Sequence, residues 1–470
     1  MTETPNLPPR TTTEFANSDR YRSQVHKRIV GGAHTYSKGD DQFPALSPAA
    51  IARGRGGRVW DIDGNEYVDC GLGLGSVSLG HAYEPVLAAV REQLELGSAF
   101  QRPASIELDL AGEFLALTPG MERIKFAKNG SNVTTAAVKL SRAFTGRPLV
   151  AFPKNHPVYS FDDWFIGRSA VASGVPEPIV RLSVTYDSTR PETLAQLFRD
   201  YPGQIACVIT EPEETLGGSP DTIRAVQRLA RDNNAIFILD EMVTGFRAGF
   251  PGCYTNHGFE PDLVTWGKAV GNGFSFCALT GRADVMDLGG IGATGRERVF
   301  LLSSTHGGET HTLAAARAVI REYRERNVIE RHRELVSRVV SGMRSTVHGH
   351  GLDKELEIHA SPWRVVTVCR DGTGAVSADL RTLLLQEMIG RGILFQGVYL
   401  PCFTHSDADV AQILRAFDAA AAIYRHALDH GIDGLLIGQA VRPVFRKYAG
   451  CRETCPAYPC PHESRCRAAI

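Results

Sequence analysis

The chain has 470 residues, with 51 Lys plus Arg against 52 Asp plus Glu and a formal net charge of −1 at pH 7; that balance excludes a nucleic-acid binder relying on bulk positive charge. Hydrophobic residues at 43% and charged residues at 22% exclude the low-hydrophobicity, high-charge pattern of a disordered chain. There is no apolar run of about 18 residues to cross a membrane, and the polar, proline-rich opening MTETPNLPPRTTTEF has no apolar stretch of a signal peptide, so a cytoplasmic protein with its 10 cysteines reduced is expected.

Residues 1–14 read as a flexible tail, and structure is expected from Phe15. The stretch VWDIDGNEYVD predicts a hairpin, with Val59 and Trp60 on one arm, Asp63-Gly64 at the turn and Glu66 to Val68 on the other. From about Ala111 to Ala283 apolar strands alternate with amphipathic helices. AFTGRPLVAF closes on one strand candidate, IACVIT (Ile205 to Thr210) is a second and AIFILDEM (Ala235 to Met242) a third; Pro220 and Asp221 open a helix between the last two. This order predicts an α/β fold with a mostly parallel sheet flanked by helices, and ligands at the carboxyl ends of its strands. The last third reads as a smaller α/β unit, with the strand candidate WRVVTVCR and a long helix opened by a Ser406/Asp409 capping box.

Three features carry chemistry. Gly130, Ser131 and Asn132 open a helix, where N–H groups and the helix dipole can hold a phosphate; simple capping by Ser131 explains the same residues equally well. The buried run Phe237-Ile238-Leu239 ends on Asp240 and Glu241, and a carboxylate in such a place needs a cationic partner, either a protonated pyridine nitrogen or Arg247. Lys268 follows another strand candidate among apolar and small residues, a setting that favours the neutral amine and Schiff-base formation. An anion cup, a ring counter-ion and an amine in that order are the parts needed to hold pyridoxal 5′-phosphate.

These residues, with IVGGAHTYSKG, LGLGSVSLGHAY, EPEE (Glu211 to Glu214), LDEMVTGFR, WGKAVGNGF and SSTHGGETH, resemble the fold-type I, class III pyridoxal-phosphate enzymes, above all glutamate-1-semialdehyde 2,1-aminomutase and its aminotransferase-like relatives. The resemblance implies a large domain with a seven-stranded sheet at residues 111–335 and a smaller α/β domain at 336–448. Residues 15–110 would contribute to the small domain and an interface, and 449–470 would form a cysteine-rich tail. It implies that Lys268 carries the cofactor and acts as catalytic base, that Asp240 pairs with the pyridine nitrogen, and that Gly130, Ser131 and Asn132 bind phosphate. His156, Glu211 and Met242 would lie near the ring, and Thr305 would reach the phosphate of the neighbouring subunit in a homodimer with shared sites. His34, Tyr36, Lys38 and Tyr159 are candidate substrate contacts, by their places in the matched motifs.

Three departures stand out. Asn155-His156-Pro157 replaces the Tyr-His-Gly context of the aminomutases; Lys38 aligns where they have an arginine, losing its bidentate grip on a carboxylate; and Glu309-Thr310 stands where Asn-Pro is usual. The cup sequence and FDDWFIG are closer to relatives of sugar or secondary metabolism. The expectation is therefore an aminotransferase that moves an amino group from an amino acid such as L-glutamate to an aldehyde or ketone, with the aminomutase as the alternative. A racemase, a decarboxylase or a non-catalytic binding protein on the same fold ranks lower. Gly71 to Gly75 does not read as a dinucleotide site, since it does not both follow a clear strand and open a helix within a βαβ unit. Cys451, Cys455, Cys460 and Cys466 could ligate zinc or an iron–sulfur cluster, although their spacing differs from the paired C-x2-C pattern.

Overall fold

The computed structural model describes residues 9–12, 14–154, 156, 158–212, 219–292 and 295–448. Cys451, Cys455, Cys460 and Cys466, like Asn155, Pro157, Glu213 and Glu214, lie outside the described residues. The chain divides into two compact units, one of residues 1–74, 79–83 and 330–470, the other of residues 75–78 and 84–329.

In the first unit, β1 (Ile51–Arg55), β2 (Arg58–Asp61) and β3 (Glu66–Asp69) form an antiparallel sheet, to which the late β13 (Ile393–Leu394) adds in parallel against β3. The β2–β3 turn is the predicted hairpin. Asp61 holds it by accepting the Asp63 and Asn65 N–H groups on Oδ1 and the Tyr67 hydroxyl on Oδ2 at 2.8 Å, and Gly64 supplies the positive φ of 90° the turn needs. A second sheet joins β11 (Leu356–Ser361), β12 (Arg364–Cys369) and β14 (Val398–Tyr399). The helix Asp407–His430 starts at the predicted capping box, with Ser406 and Asp409 satisfying each other's backbone. Its apolar stripe, Val410, Ile413, Phe417, Ala421 and Tyr424, packs into the unit's core with the helices Val328–Gly349 and Ala378–Ile389.

Residues 10–12 correct the expected tail. Thr11 and Thr12 donate to the Gly390 carbonyl and Arg10 pairs with the buried Glu387, which Arg391 also holds at 2.6 Å. A polar segment is fixed here by backbone and ionic bonds, which no apolar periodicity announces.

The second unit is built on a seven-stranded sheet. In chain order its strands are β4 (Arg123–Ala127), β5 (Leu149–Pro153), β6 (Ser183–Tyr186), β7 (Ile205–Thr210), β8 (Ile236–Asp240), β9 (Leu263–Trp266) and β10 (Cys277–Gly281), and in space the order is β4-β10-β9-β8-β7-β5-β6. The five strands from β9 to β6 run parallel, and β10 is antiparallel to both its neighbours. Strands β5, β7, β8, β9 and β10 are buried at every position, which is why they read as continuous apolar runs. Helix Gly130–Thr145 covers one face with Val133, Ala136, Ala137 and Leu140. Helix Pro220–Asp232 opens on Pro220, as predicted, and Ser219 caps it. Helices Glu84–Glu95 and Ser105–Leu115, expected with the N-terminal segment, belong to this unit, where both pack against Thr310–Glu325.

Because β4 and β5 to β9 all point one way, the residues after Ala127, Pro153, Thr210, Asp240 and Trp266 gather at one edge of the sheet. Among the described residues no helix is long and apolar enough to cross a membrane. The six described cysteines are buried thiols outside any disulfide.

Candidate active site

Asp240 is the last residue of β8 and pairs in register with Thr265 of β9. The Thr265 hydroxyl donates to Asp240 Oδ1 at 2.7 Å and the Met242 N–H to the same oxygen at 3.0 Å; Oδ2 accepts neither. Sequence reasoning missed Thr265, since strand register is not written in local pattern. Two residues past β9, Lys268 opens a single 3₁₀ turn to Gly271 with φ of 45°, a left-handed conformation costly for a lysine. The turn is fixed by Val270 N–H to Gly267 O, Asn272 N–H to Ala269 O, and Asn272 Oδ1 accepting the Ser78 N–H at 3.0 Å.

Gly267, just before the lysine, sits between two sulfurs. A Cβ there would lie 2.4 Å from Met242 Sδ and 2.6 Å from Cys277 Sγ, while one on Gly130 would meet Met242 Cε at 3.2 Å. Met242 therefore bridges the cup glycine and the lysine turn. Gly267→Ala is expected to displace Lys268 and cut cofactor loading, at an overpacking cost of about 1–3 kcal/mol; cofactor titration together with thermal unfolding reads both effects.

Burial sets the electrostatics. It pushes the Asp240 carboxyl up to about 6, with the nearby negative Glu211 adding to the rise, and the Glu241 carboxyl up to about 7. It lowers the Lys268 amine, against the pull of Glu211 and Asp240. Glu241 accepts from the Thr244 hydroxyl and from the Tyr254 N–H at 2.7 Å, which ties down the turn after β8. A carboxyl raised on folding stabilises the fold while protonated, fully so below its unfolded value near 4, and loses that contribution as pH rises through its folded value. For Asp240 the amount is on the order of 3 kcal/mol. Cofactor-free Asp240→Asn, which cannot ionise, is thus expected to gain stability relative to the natural chain as pH rises from about 4 to about 6, with little further change above, measured as the difference in thermal midpoints.

At the cup, Asn129 caps the helix Gly130–Thr145, its Oδ1 accepting the Asn132 N–H at 3.0 Å. Ser131, the cap in the competing sequence reading, has another role: its hydroxyl oxygen accepts the Phe161 N–H at 3.0 Å, leaving its proton to be donated. The Asn132 N–H is committed to the cap, so Asn132 can offer an anion only its side chain.

His156 follows β5 and stacks on Tyr159, centroids 3.6 Å apart and planes 13° from parallel. Its Nε2 lies 3.1 Å from Glu211 Oε1 without hydrogen-bond alignment, and its Nδ1 is buried with no hydrogen-bond partner among the described residues. The Tyr159 oxygen accepts the Glu211 N–H at 3.1 Å. Tyr159, one of the four substrate candidates, is thus a buried support for His156 and Glu211. The other three, His34, Tyr36 and Lys38, are exposed residues of the first unit. Thr305 is exposed in the loop before helix Thr310–Glu325. Arg247, the alternative partner for Asp240, donates to the Gly75 and Val77 carbonyls.

The residues present fit pyridoxal phosphate. They offer a buried amine, a carboxylate whose two hydrogen bonds sit on one oxygen, a serine proton at a helix N-terminus, and a buried histidine nitrogen with no partner among the described residues.

The family described as aminotransferase class-III matches residues 36–353. The glutamate-1-semialdehyde 2,1-aminomutase of Thermus thermophilus is 29% identical over 435 residues, covering 86% of this chain and 98% of its own. That of Symbiobacterium thermophilum is 32% identical over 288 residues, 59% of this chain and 66% of its own. Among solved structures, the FumI protein of Sphingopyxis sp. MTA144 superposes with a TM-score of 0.80 at 22% identity, covering 88% of this chain and 97% of that one. A glutamate-1-semialdehyde aminomutase from Pseudomonas aeruginosa PAO1 gives 0.75 at 22%, covering 86% and 94%.

Proposed function

The chain belongs to the class III aminotransferases, a pyridoxal-phosphate-dependent family of enzymes, and from that premise we propose that it moves an amino group from an amino acid, L-glutamate first, to an aldehyde or ketone. The observation that supports the reading is the pair at the ends of adjacent parallel strands, the Asp240 carboxyl and the Lys268 amine, each shifted towards its neutral form by its own burial.

When bound, pyridoxal phosphate supplies an aldehyde that takes up amines and a cationic ring that draws electrons from the neighbouring substrate carbon. Lys268 would hold its aldehyde and Asp240, ionised opposite the ring nitrogen, would keep that nitrogen protonated. Thr265 and the Met242 N–H orient the carboxylate for this. Gly130, Ser131 and the dipole of the helix they open would hold the phosphate, joined by Thr305 of the partner subunit. His156, set by its stack on Tyr159, and Met242 would lie near the ring. Burial lowers the Lys268 amine, so once freed by the donor its Nζ would be suited to take the proton from the donor α-carbon. Trp266, Val270 and Phe276 around the lysine turn are buried, an apolar setting that would limit water's competition for that proton.

A homodimer agrees with the exposed Leu96, Phe100 and Leu108 of the second unit, at 69%, 55% and 79% exposure, apolar side chains that a neighbouring subunit would cover. The aminomutase stays as a second reading because the curated relatives carry that name. Lys38, a point charge where those enzymes have an arginine fork, weighs towards transfer. The test is holoenzyme mixed with L-glutamate and no acceptor. Stoichiometric 2-oxoglutarate is expected; no keto acid, with glutamate-1-semialdehyde isomerised and its amine retained, would establish the mutase instead.

A further inference from the structure

Lys128 and Glu309 form an ion pair outside the machinery just described. Lys128 is the first residue after β4 and stands two before Gly130, so it sits on the chain leading into the phosphate cup. Its Nζ donates to Glu309 Oε2 at 2.7 Å and lies 3.4 Å from Thr312 Oγ1, while Ser275, in the segment after the lysine turn, donates to its carbonyl at 2.6 Å. The other Glu309 oxygen, Oε1, is 2.9 Å from His306 Nδ1. Glu309 occupies the cap position of helix Thr310–Glu325 but makes no side-chain capping bond there; its carboxylate turns back to Lys128 and His306. Lys128 and Glu309 keep only 19% and 20% of their side-chain surface exposed, and the lysine holds the carboxyl below its ordinary range, so this pair is less weakened by solvent than one at the open surface.

The segment so tied is the loop that carries Thr305. On its far side Thr310 is anchored by its N–H to Ser98 O at 3.0 Å and its hydroxyl to Gly97 O at 2.7 Å, and within it Gly307 N–H meets Ser304 O at 3.3 Å. Residues Ser303 to His306 are exposed. Without the cluster, the loop between the helix and Thr305 would lose its tie to the sheet.

We propose that Lys128, Glu309 and His306 are positioning residues that set the Thr305 loop for binding the cofactor phosphate of the partner subunit. This rests on the shared-site homodimer reading. One subunit's cup approach thereby fixes the donor it lends to the other, so each site's grip on phosphate depends on an ion pair in its neighbour.

Titrating cofactor-free protein with pyridoxal phosphate and, separately, with pyridoxal tests it, because pyridoxal lacks the phosphate and is blind to Thr305. For Lys128→Met and Glu309→Gln the affinity for pyridoxal phosphate is expected to fall about tenfold or more, the loss of one hydrogen bond to a charged group, while that for pyridoxal stays within about twofold. Lys128→Arg, which keeps the charge, is expected to restore most of the loss. Equal losses for both ligands, or no loss for either, would overturn the proposal. Thr305→Val separates it from the reading beneath: if that variant binds both ligands as the natural chain does, the shared site is wrong; if it loses phosphate-dependent affinity and the ion-pair variants do not, only the positioning role is wrong.

Discussion

Replacing Lys268 with Ala is expected to lower amine exchange with L-glutamate by about a thousandfold or more, since removing a positioned base alone costs roughly 10² to 10⁴ and the amine that holds the cofactor goes with it. The variant is expected to stay folded, because alanine takes the φ of 45° with no more strain than lysine. It is also expected to bind pyridoxal phosphate through the phosphate cup and Asp240, with the absorbance of the free aldehyde. Rapid mixing with glutamate, followed in the visible range, measures the rate. A variant keeping the natural band and turnover would put the cofactor on another lysine.

The second large effect belongs to Asp240→Asn. Asparagine keeps the shape, and its oxygen can still accept from the Thr265 hydroxyl and the Met242 N–H, but it carries no negative charge to hold a proton on the ring nitrogen. Removing a preorganised electrostatic partner in a buried site costs about 10² to 10³ in rate, here expected in the half-reaction with little change in how much cofactor is bound. A rate within tenfold of the natural chain would mean that Asp240 does not face the ring nitrogen.

The places of Asp240 and Lys268 at and just past strand ends were legible in the sequence because buried parallel strands read as apolar runs and their ends stand out as the first charged or glycine-flanked residues. The same logic found β5, β7 and β8, while β12, antiparallel and buried at alternate positions, was read from its β-branched residues, and the Ser406 capping box was read from four residues. The sequence pattern failed where partners meet across the fold. Thr265 finds Asp240 only through strand register, and Lys128 meets Glu309 across 181 positions; the departure at Glu309 was visible, but not its partner. At the cup, Asn129, Ser131 and Asn132 are all competent to cap, and only the backbone geometry assigns Asn129 to the cap and Ser131 to the Phe161 N–H. Residues 10–12 were misread because hydrogen bonds to Gly390 leave no mark in a polar, proline-rich stretch. Helices Glu84–Glu95 and Ser105–Leu115 fell on the wrong side of the expected division because packing against Thr310–Glu325 joins residues far apart in the chain.

The most direct test of the central claim is borohydride reduction of the holoenzyme, which fixes the cofactor to the amine holding it, followed by peptide mass spectrometry. A single pyridoxyl phosphate group on Lys268 is the predicted result; the label on Lys128 or any other lysine, or no label at all, would contradict it.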